Sequence, residues 1–518
     1  MLKILKQHQS DKGLQPLMFD KRASGILLHP TCFPSRFGIG DLGEEADRFI
    51  DFLADSYQQV WQILPLGPTG YGNSPYLSYS ALAGNPLLIS PEKLVEDELL
   101  DEEDFANLPD FPLDRVDFEL VTQTKMPLLQ KASQTFKQGA SEELQEEFEK
   151  FCDRHSDWLE DYALFMSLKQ VFEGESWNRW DKDIAKRKPD AIAQWKDRLG
   201  ESIFFQKFLQ FQFFRQWSAL KQYANEKGIS IFGDIPIYVA HDSVDVWANP
   251  ELFCLDEETG EAALMAGVPP DYFSETGQLW GNPVYDWEKH QQTNFAWWMR
   301  RVEGILEYVD IIRIDHFRGF EAFWAVPQGE ETAMNGEWIE APGEAFFNLL
   351  KQKLGKLPIV AEDLGVITPE VEALRDKFGF PGMKILQFAF DSDRANPFLP
   401  FNYVNRNCIV YTGTHDNDTT VGWFNARSPE EQARVVDYLG CLCPDGIHWS
   451  LIRLALGSVA NQAIFPFQDL LGLGNDARMN TPSVPDGNWG WRYRAEAVNS
   501  EVGEHLKYLT YLYGRAPY

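Results

Sequence analysis

The sequence predicts an α/β fold, a (β/α)8 TIM barrel, and three observations carry that prediction. Eight short apolar runs, each ending near Gly, Pro, Asp or His, recur along the chain. Amphipathic helical patterns lie between several of them. The runs do not alternate cleanly in polarity, which is the pattern of parallel strands covered on both faces. Strand–helix alternation repeated about eight times closes into a barrel. A length of 518 residues suits about three ordinary domains, or one barrel with insertions.

The first strand is SGILLHP (24–30), followed by the helical stretch GEEADRFIDFLADS (43–56) and the second strand, QVWQILPLGP (59–68). The chain then leaves the barrel. Residues 71–228 hold an acidic, Pro-bearing stretch and a long helical one, and they read as an inserted, mostly helical subdomain. The charge run at 96–104 reads as a solvated face or loop. ISIFGDIPI (229–237) is the third strand, and a second insertion, a loop excursion at about 240–295, follows it. VDIIRIDHF (309–317) and PIVAED (358–363) are the fourth and fifth strands, with the helix TPEVEALRDKF (368–378) after them. MKILQF (383–388), CIVYTGTHD (408–416) and QAIFPFQDLL (462–471) complete the set, with the helix SPEEQARVVDYLGCL (428–442) before the last. The catalytic barrel is thus expected over 1–70 and 229–518.

Composition narrows the function. Lys and Arg number 47 against 78 Asp and Glu, a net charge of −31. Nucleic acid and anionic membranes would be repelled over most of such a surface, so a neutral substrate fits best. Six scattered Cys make no disulfide framework, and Cys441, Cys443 and His448 match no common zinc spacing. No secretory signal and no apolar run of 18 residues is visible, and a cytoplasmic location is expected.

In barrels of this kind the reactive groups project from the C-terminal ends of the strands. Asp234, Asp315, Glu362, Asp363 and Asp416 all fall there. One such carboxylate is often a helix N-cap. Four strand ends bringing carboxylates to one rim is costly unless chemistry uses them. Two readings remain, a metal site and a glycosidase-like carboxylate set. His316 and His415 each adjoin an acid in sequence, so a regular strand would point the two side chains to opposite faces, which weakens the metal reading.

The carboxylate reading has a definite mechanism. Retaining glycosidic cleavage needs a nucleophilic carboxylate and a carboxylic acid about 5–5.5 Å apart. Neighbouring strands lie about 4.7–4.9 Å apart, so Asp315 and Glu362 at adjacent strand ends satisfy that need. Arg313, two residues before Asp315, shares its face and is expected to hold it ionised. Glu362 must carry a proton, which a neighbouring anion favours. Three Gly/Pro-rich stretches, 69–86, 267–287 and 480–494, are dense in aromatics, the residues that stack on sugar faces.

IRIDHFRGFEAFWAVP (312–327), VAEDLGVITPEV (360–371) and YTGTHDNDTTVGW (411–423) resemble the three catalytic segments of the 4-α-glucanotransferases. That family is also called amylomaltase or disproportionating enzyme, glycoside hydrolase family 77. SPYLSYSALAGNP, GDIPIYVAHDSVDVWANPELF, GVPPDYFSETGQLWGNPVYDW and NTPSVPDGNWGWR are similar to its other signature stretches, and the resemblance is weakest at about 90–200. It implies a retaining transglycosylase in which Asp315 is the nucleophile, Glu362 the general acid/base and Asp416 the transition-state stabiliser. Arg313, His415, His316, Asp234 and Tyr76 would surround the reacting sugar. Ser74, Asp271, Gln278 and Asn488 are further implied substrate contacts, and Trp280, Gly281 and Asn282 belong to a loop that arches over bound glucan. The resemblance implies no cofactor and no metal, with maltooligosaccharides and amylose-like α-1,4-glucans as substrates and glucose as an acceptor. It also implies no C-terminal β-sandwich domain of the α-amylase type. The rival readings are a hydrolytic α-amylase or α-glucosidase, a metal-dependent barrel hydrolase and a non-catalytic glucan-binding protein.

Overall fold

A computed structural model of the chain describes residues 19–270 and 274–517. Its strands in chain order are β1 (Ala23–Leu27), β2 (Val60–Gln62), β3 (Ser230–Pro236), β4 (Leu264–Val268), β5 (Gln278–Pro283) and β6 (Ile311–Asp315). Then come β7 (Ala322–Pro327), β8 (Glu337–Glu340), β9 (Ile359–Ala361), β10 (Gly382–Ile385), β11 (Cys408–Tyr411) and β12 (Gln462–Pro466).

Eight of these form one parallel sheet in the order β10-β11-β12-β1-β2-β3-β6-β9. Its two ends meet where the Ala361 N–H donates to the Pro381 carbonyl at 2.9 Å, which closes the barrel. Each of the eight apolar runs overlaps one of these strands, and the runs 24–30 and 383–388 begin one residue inside theirs. β1, β2, β11 and β12 are buried at every residue, as strands covered on both sides must be. Gly25 lets β1 approach β2, since a Cβ there would lie 2.3 Å from the Val60 carbonyl oxygen.

The helices follow from caps and stripes. Glu44–Asp55 opens with Glu44, Glu45 and Asp47 against the positive end of its dipole. It buries Ala46, Phe49, Ile50 and Leu53, one face at helical spacing, and Phe49 meets Trp61 of β2 at 5.5 Å. Pro369–Phe378 starts on Pro at its first position and ends at the left-handed Gly379. Pro429–Leu439 starts with a Ser428/Glu431 capping box.

Between β2 and β3 the longer helices are Phe118–Gly139, Glu142–Arg154, Ser156–Val171, Pro189–Arg198 and Gly200–Glu226. The last is about 40 Å long and serves both parts. Its Phe208 and Phe211 pack on Phe136, while Trp217 reaches Trp61 on the barrel and donates to the Tyr308 carbonyl at 2.8 Å. One hydrophobic cluster accordingly runs through the helical insert and the barrel. Among the described residues no helix is long and apolar enough to cross a membrane.

The second sheet, antiparallel in the order β5-β4-β7-β8, is not expected from the sequence. Two of its strands lie in the excursion after β3. Gly267, Gly281, Pro283 and Pro327 interrupt its periodicity, and the register shifts between Met265 and Gly267. Those breaks make the segments read as loop.

Candidate active site

The site is built on the C-terminal ends of β3, β6, β9 and β11. Asp234 of β3 lies opposite Arg313 of β6 in register. Arg313 donates from Nη1 to both Asp234 oxygens, at 2.9 and 2.7 Å, and pairs through Nη2 with Asp315 Oδ1 at 2.7 Å. The Tyr76 hydroxyl, from the loop after β2, donates to Asp234 Oδ2 at 2.7 Å. Asp234 is therefore fully engaged inside the barrel, whereas the Asp315 side chain remains 31% exposed at the mouth. Arg313 holds both anions, and a buried guanidinium is stable only with such partners.

Glu362 follows β9, and the pairing of Ile314 with Ala361 brings it beside Asp315. Its N–H donates to the Ile314 carbonyl at 3.0 Å. Its carboxyl group accepts from the His316 amide at 2.7 Å and the Leu364 amide at 2.9 Å. The His316 amide comes from the residue after Asp315, so the two acids sit side by side. His316 has a left-handed backbone, φ 53°, uncommon for a residue with a side chain and typical of functional turns. Asp363 goes elsewhere. It pairs with Arg375 and accepts the Met383 amide at 2.7 Å, tying β9 to β10.

The two acids have different proton affinities. Burial pushes Glu362 up to about 8, aided by the Asp315 charge and opposed by Arg313 and two amide donors. Burial raises Asp315 only to about 6; Asp234 and Asp416 add to the rise and Arg313 opposes it. Burial thus raises both acids, and Glu362 more than Asp315, so the pair favours its shared proton on Glu362. The Arg313 pull expected from the sequence is present, but burial outweighs it.

Asp416, after β11, completes the rim with a side chain 44% exposed. Asn480 donates to its Oδ1 at 2.6 Å, and His415 Nε2 lies 3.4 Å from the same oxygen. The His415 ring stacks on Tyr76 at 5.2 Å and 12°, and Trp489 lies 5.7 Å from Tyr76 and 6.0 Å from His415. Burial lowers the His415 pKa, favouring the neutral ring. Asn480 and Trp489 were not singled out from the sequence. Their signal was the aromatic, Gly/Pro-rich stretch that contains them.

The structure thus brings together Tyr76, Asp234, Arg313, Asp315, His316, Glu362, His415 and Asp416. Trp280 on β5 meets the His316 ring edge-on at 4.8 Å, and its Nε1 donates to Gln278 at 3.2 Å. Gly281 has φ 77° with open space around it. The remaining positions spend polar groups on local structure. Asn282 donates to the Val239 carbonyl at 2.8 Å, Ser74 Oγ accepts from the Tyr76 amide at 3.3 Å, and Asn488 bonds Thr481 and Val484 within its own loop. Asp271 lies outside the described residues. Among the described residues, no three His, Cys, Asp or Glu side chains group so as to hold a metal ion.

A TIM barrel with three carboxylates at its mouth, one of them paired with a buried arginine, and aromatic side chains around them defines a glycoside-hydrolase type of enzyme. The 4-alpha-glucanotransferase model of glycoside hydrolase family 77 matches residues 28–498, and the chain belongs to that family. It is 63% identical over 502 residues to a 4-alpha-glucanotransferase of Synechocystis sp., covering 97% of this chain and 99% of that one. It is 51% identical over 492 residues to the Thermus thermophilus 4-alpha-glucanotransferase, covering 94% and 97% of the two chains. Among solved structures, it superimposes on an amylomaltase from Streptococcus agalactiae in complex with acarbose. That match has a TM-score of 0.93 and 40% identity, and covers 96% of this chain and 100% of the other.

Proposed function

We propose that the protein transfers segments of α-1,4-glucan by double displacement with retention at the anomeric carbon. The observation that carries this reading is the placing of two acids side by side at the ends of β6 and β9, Asp315 paired with Arg313 and Glu362 accepting the His316 amide. Glu362 gives its proton to the glycosidic oxygen while Asp315 Oδ attacks the anomeric carbon. The C–O bond to the leaving sugar breaks, and the donor segment remains as a β-glycosyl ester on Asp315. The leaving segment departs as an alcohol. The 4-hydroxyl of another glucan, or of glucose, then loses its proton to Glu362 and attacks the same carbon, which frees Asp315. Charge develops on the sugar ring in both steps, and Asp416 lies beside it with a carboxylate held by Asn480. Arg313 keeps Asp315 a competent leaving group, and no step transfers electrons.

Transfer prevails over hydrolysis where an acceptor sugar displaces water from the mouth. The stacked Tyr76 and His415, Trp489 beside them, and Trp280 against His316 support that exclusion. Incubation with maltotriose should yield glucose and a ladder of longer maltodextrins. Reducing ends that accumulate without longer products would refute transfer and leave a hydrolase.

A further inference from the structure

We propose that the small antiparallel sheet carries a glucan-docking platform outside the catalytic cleft, centred on the indole of Trp338. The proposal rests on the glucanotransferase reading and extends it to the length of the substrate. Trp338 on β8 is 41% exposed, a large apolar surface to leave in water. It lies opposite Trp324 of β7 in register, and the two rings meet at 5.3 Å and 65°. Trp324 is fixed in turn, because its Nε1 donates to the Ala333 carbonyl at 2.9 Å. Gly336 packs so tightly there that a Cβ would lie 2.4 Å from that nitrogen.

Arg318 covers one side of Trp338, with its guanidinium carbon 3.9 Å from the ring centroid. It is 6% exposed, forms no ion pair among the described residues, and its Nε–H has no acceptor. Arg318 lies three residues after Asp315 and donates from Nη1 to the Val366 carbonyl on the loop that follows Glu362. Arg318 therefore ties the platform to the loop that follows Glu362. Glu340, two residues after Trp338 on β8, is exposed on the same face, and its charge and that of Glu370 both reach Glu321, so carboxylates border the patch. A rigid indole with carboxylate acceptors around it suits a neutral, hydroxyl-rich chain and repels an anion. Four strands span about 14 Å from β5, which carries Trp280, to β8, so a glucan that touches both must be several sugars long. Only long chains would use it.

The test compares wild type with Trp338→Ala, Trp338→Leu and Trp338→Phe on maltotriose and on amylose. Trp338→Ala and Trp338→Leu should raise KM for amylose about fivefold while leaving kcat/KM for maltotriose within twofold. Trp338→Phe should keep the wild-type KM, and the Leu/Phe pair decides if the alanine variant fails to fold. Retardation in an amylose-containing native gel, measured in an Asp315→Asn background, reads binding without turnover. It should weaken when Trp338→Leu is added. An unchanged amylose KM and unchanged retardation, as a protein-docking patch would give, overturn the proposal, and so does an equal loss on both substrates. Failure of the transferase reading is seen separately, in wild type giving no products longer than maltotriose.

Discussion

Arg313 sets the chemistry of the site residue by residue. It binds Asp234 and Asp315 together and so opposes the burial that raises Asp315, while burial and the Asp315 charge favour the proton on Glu362 against the pull of Arg313 and two amide donors. Asp315→Asn should lower kcat by more than about 10³-fold with an unchanged melting curve. Residual turnover at a tenth of wild type would mean another nucleophile. The pH dependence of kcat/KM should be bell-shaped. Activity rises as Asp315 loses its proton near 6 and falls as Glu362 loses its own near 8. A profile flat to pH 9.5 would contradict the assignment of the acid. Asn480→Ala removes the donor at 2.6 Å from Asp416 and should cost about 10–100-fold in kcat with a smaller change in KM. The carboxylates were legible in the sequence because each ends an apolar strand. Asn480 and Trp489 were not, because their partners come from another strand end and no local pattern marks a contact between distant loops.

At the level of elements, the barrel strands were legible because burial on both faces writes an unbroken apolar run. The Glu362–Asp363 pair shows the finer limit of such reading. Both acids end the same strand, yet one serves the mouth and the other clamps β10, and only the turn after β9 separates the two. The antiparallel sheet was hidden by Gly, Pro and a register shift, which look the same in a strand as in a loop. Strand spacing is also enforced by single residues. Gly25→Ala would drive a methyl group into Val60 across β1 and β2, and should cost about 3 kcal/mol, read as a lowered Tm. An unchanged Tm would mean that the two strands are not held at this separation.

Across the whole molecule, the charge of −31 and the large core shared by insert and barrel pull in opposite directions. Self-repulsion of so many carboxylates opposes compaction, and salt screens it. Raising NaCl from 10 to 150 mM should therefore raise Tm by roughly 1–3 °C, and a fall would show that surface ion pairs dominate instead. The large insert was legible as helical, but the reach of Gly200–Glu226 onto the barrel wall was not. A helix that is apolar nearly all round gives no sign of which neighbour each face meets. The closure between Ala361 and Pro381 carries one last consequence. The hoop is fastened there beside Glu362, by a three-residue strand against a four-residue one. In deuterated solvent the Ala361 and Met383 amides should exchange ahead of those in β1 and β12, and a glucan lying across Glu362 should slow that breathing.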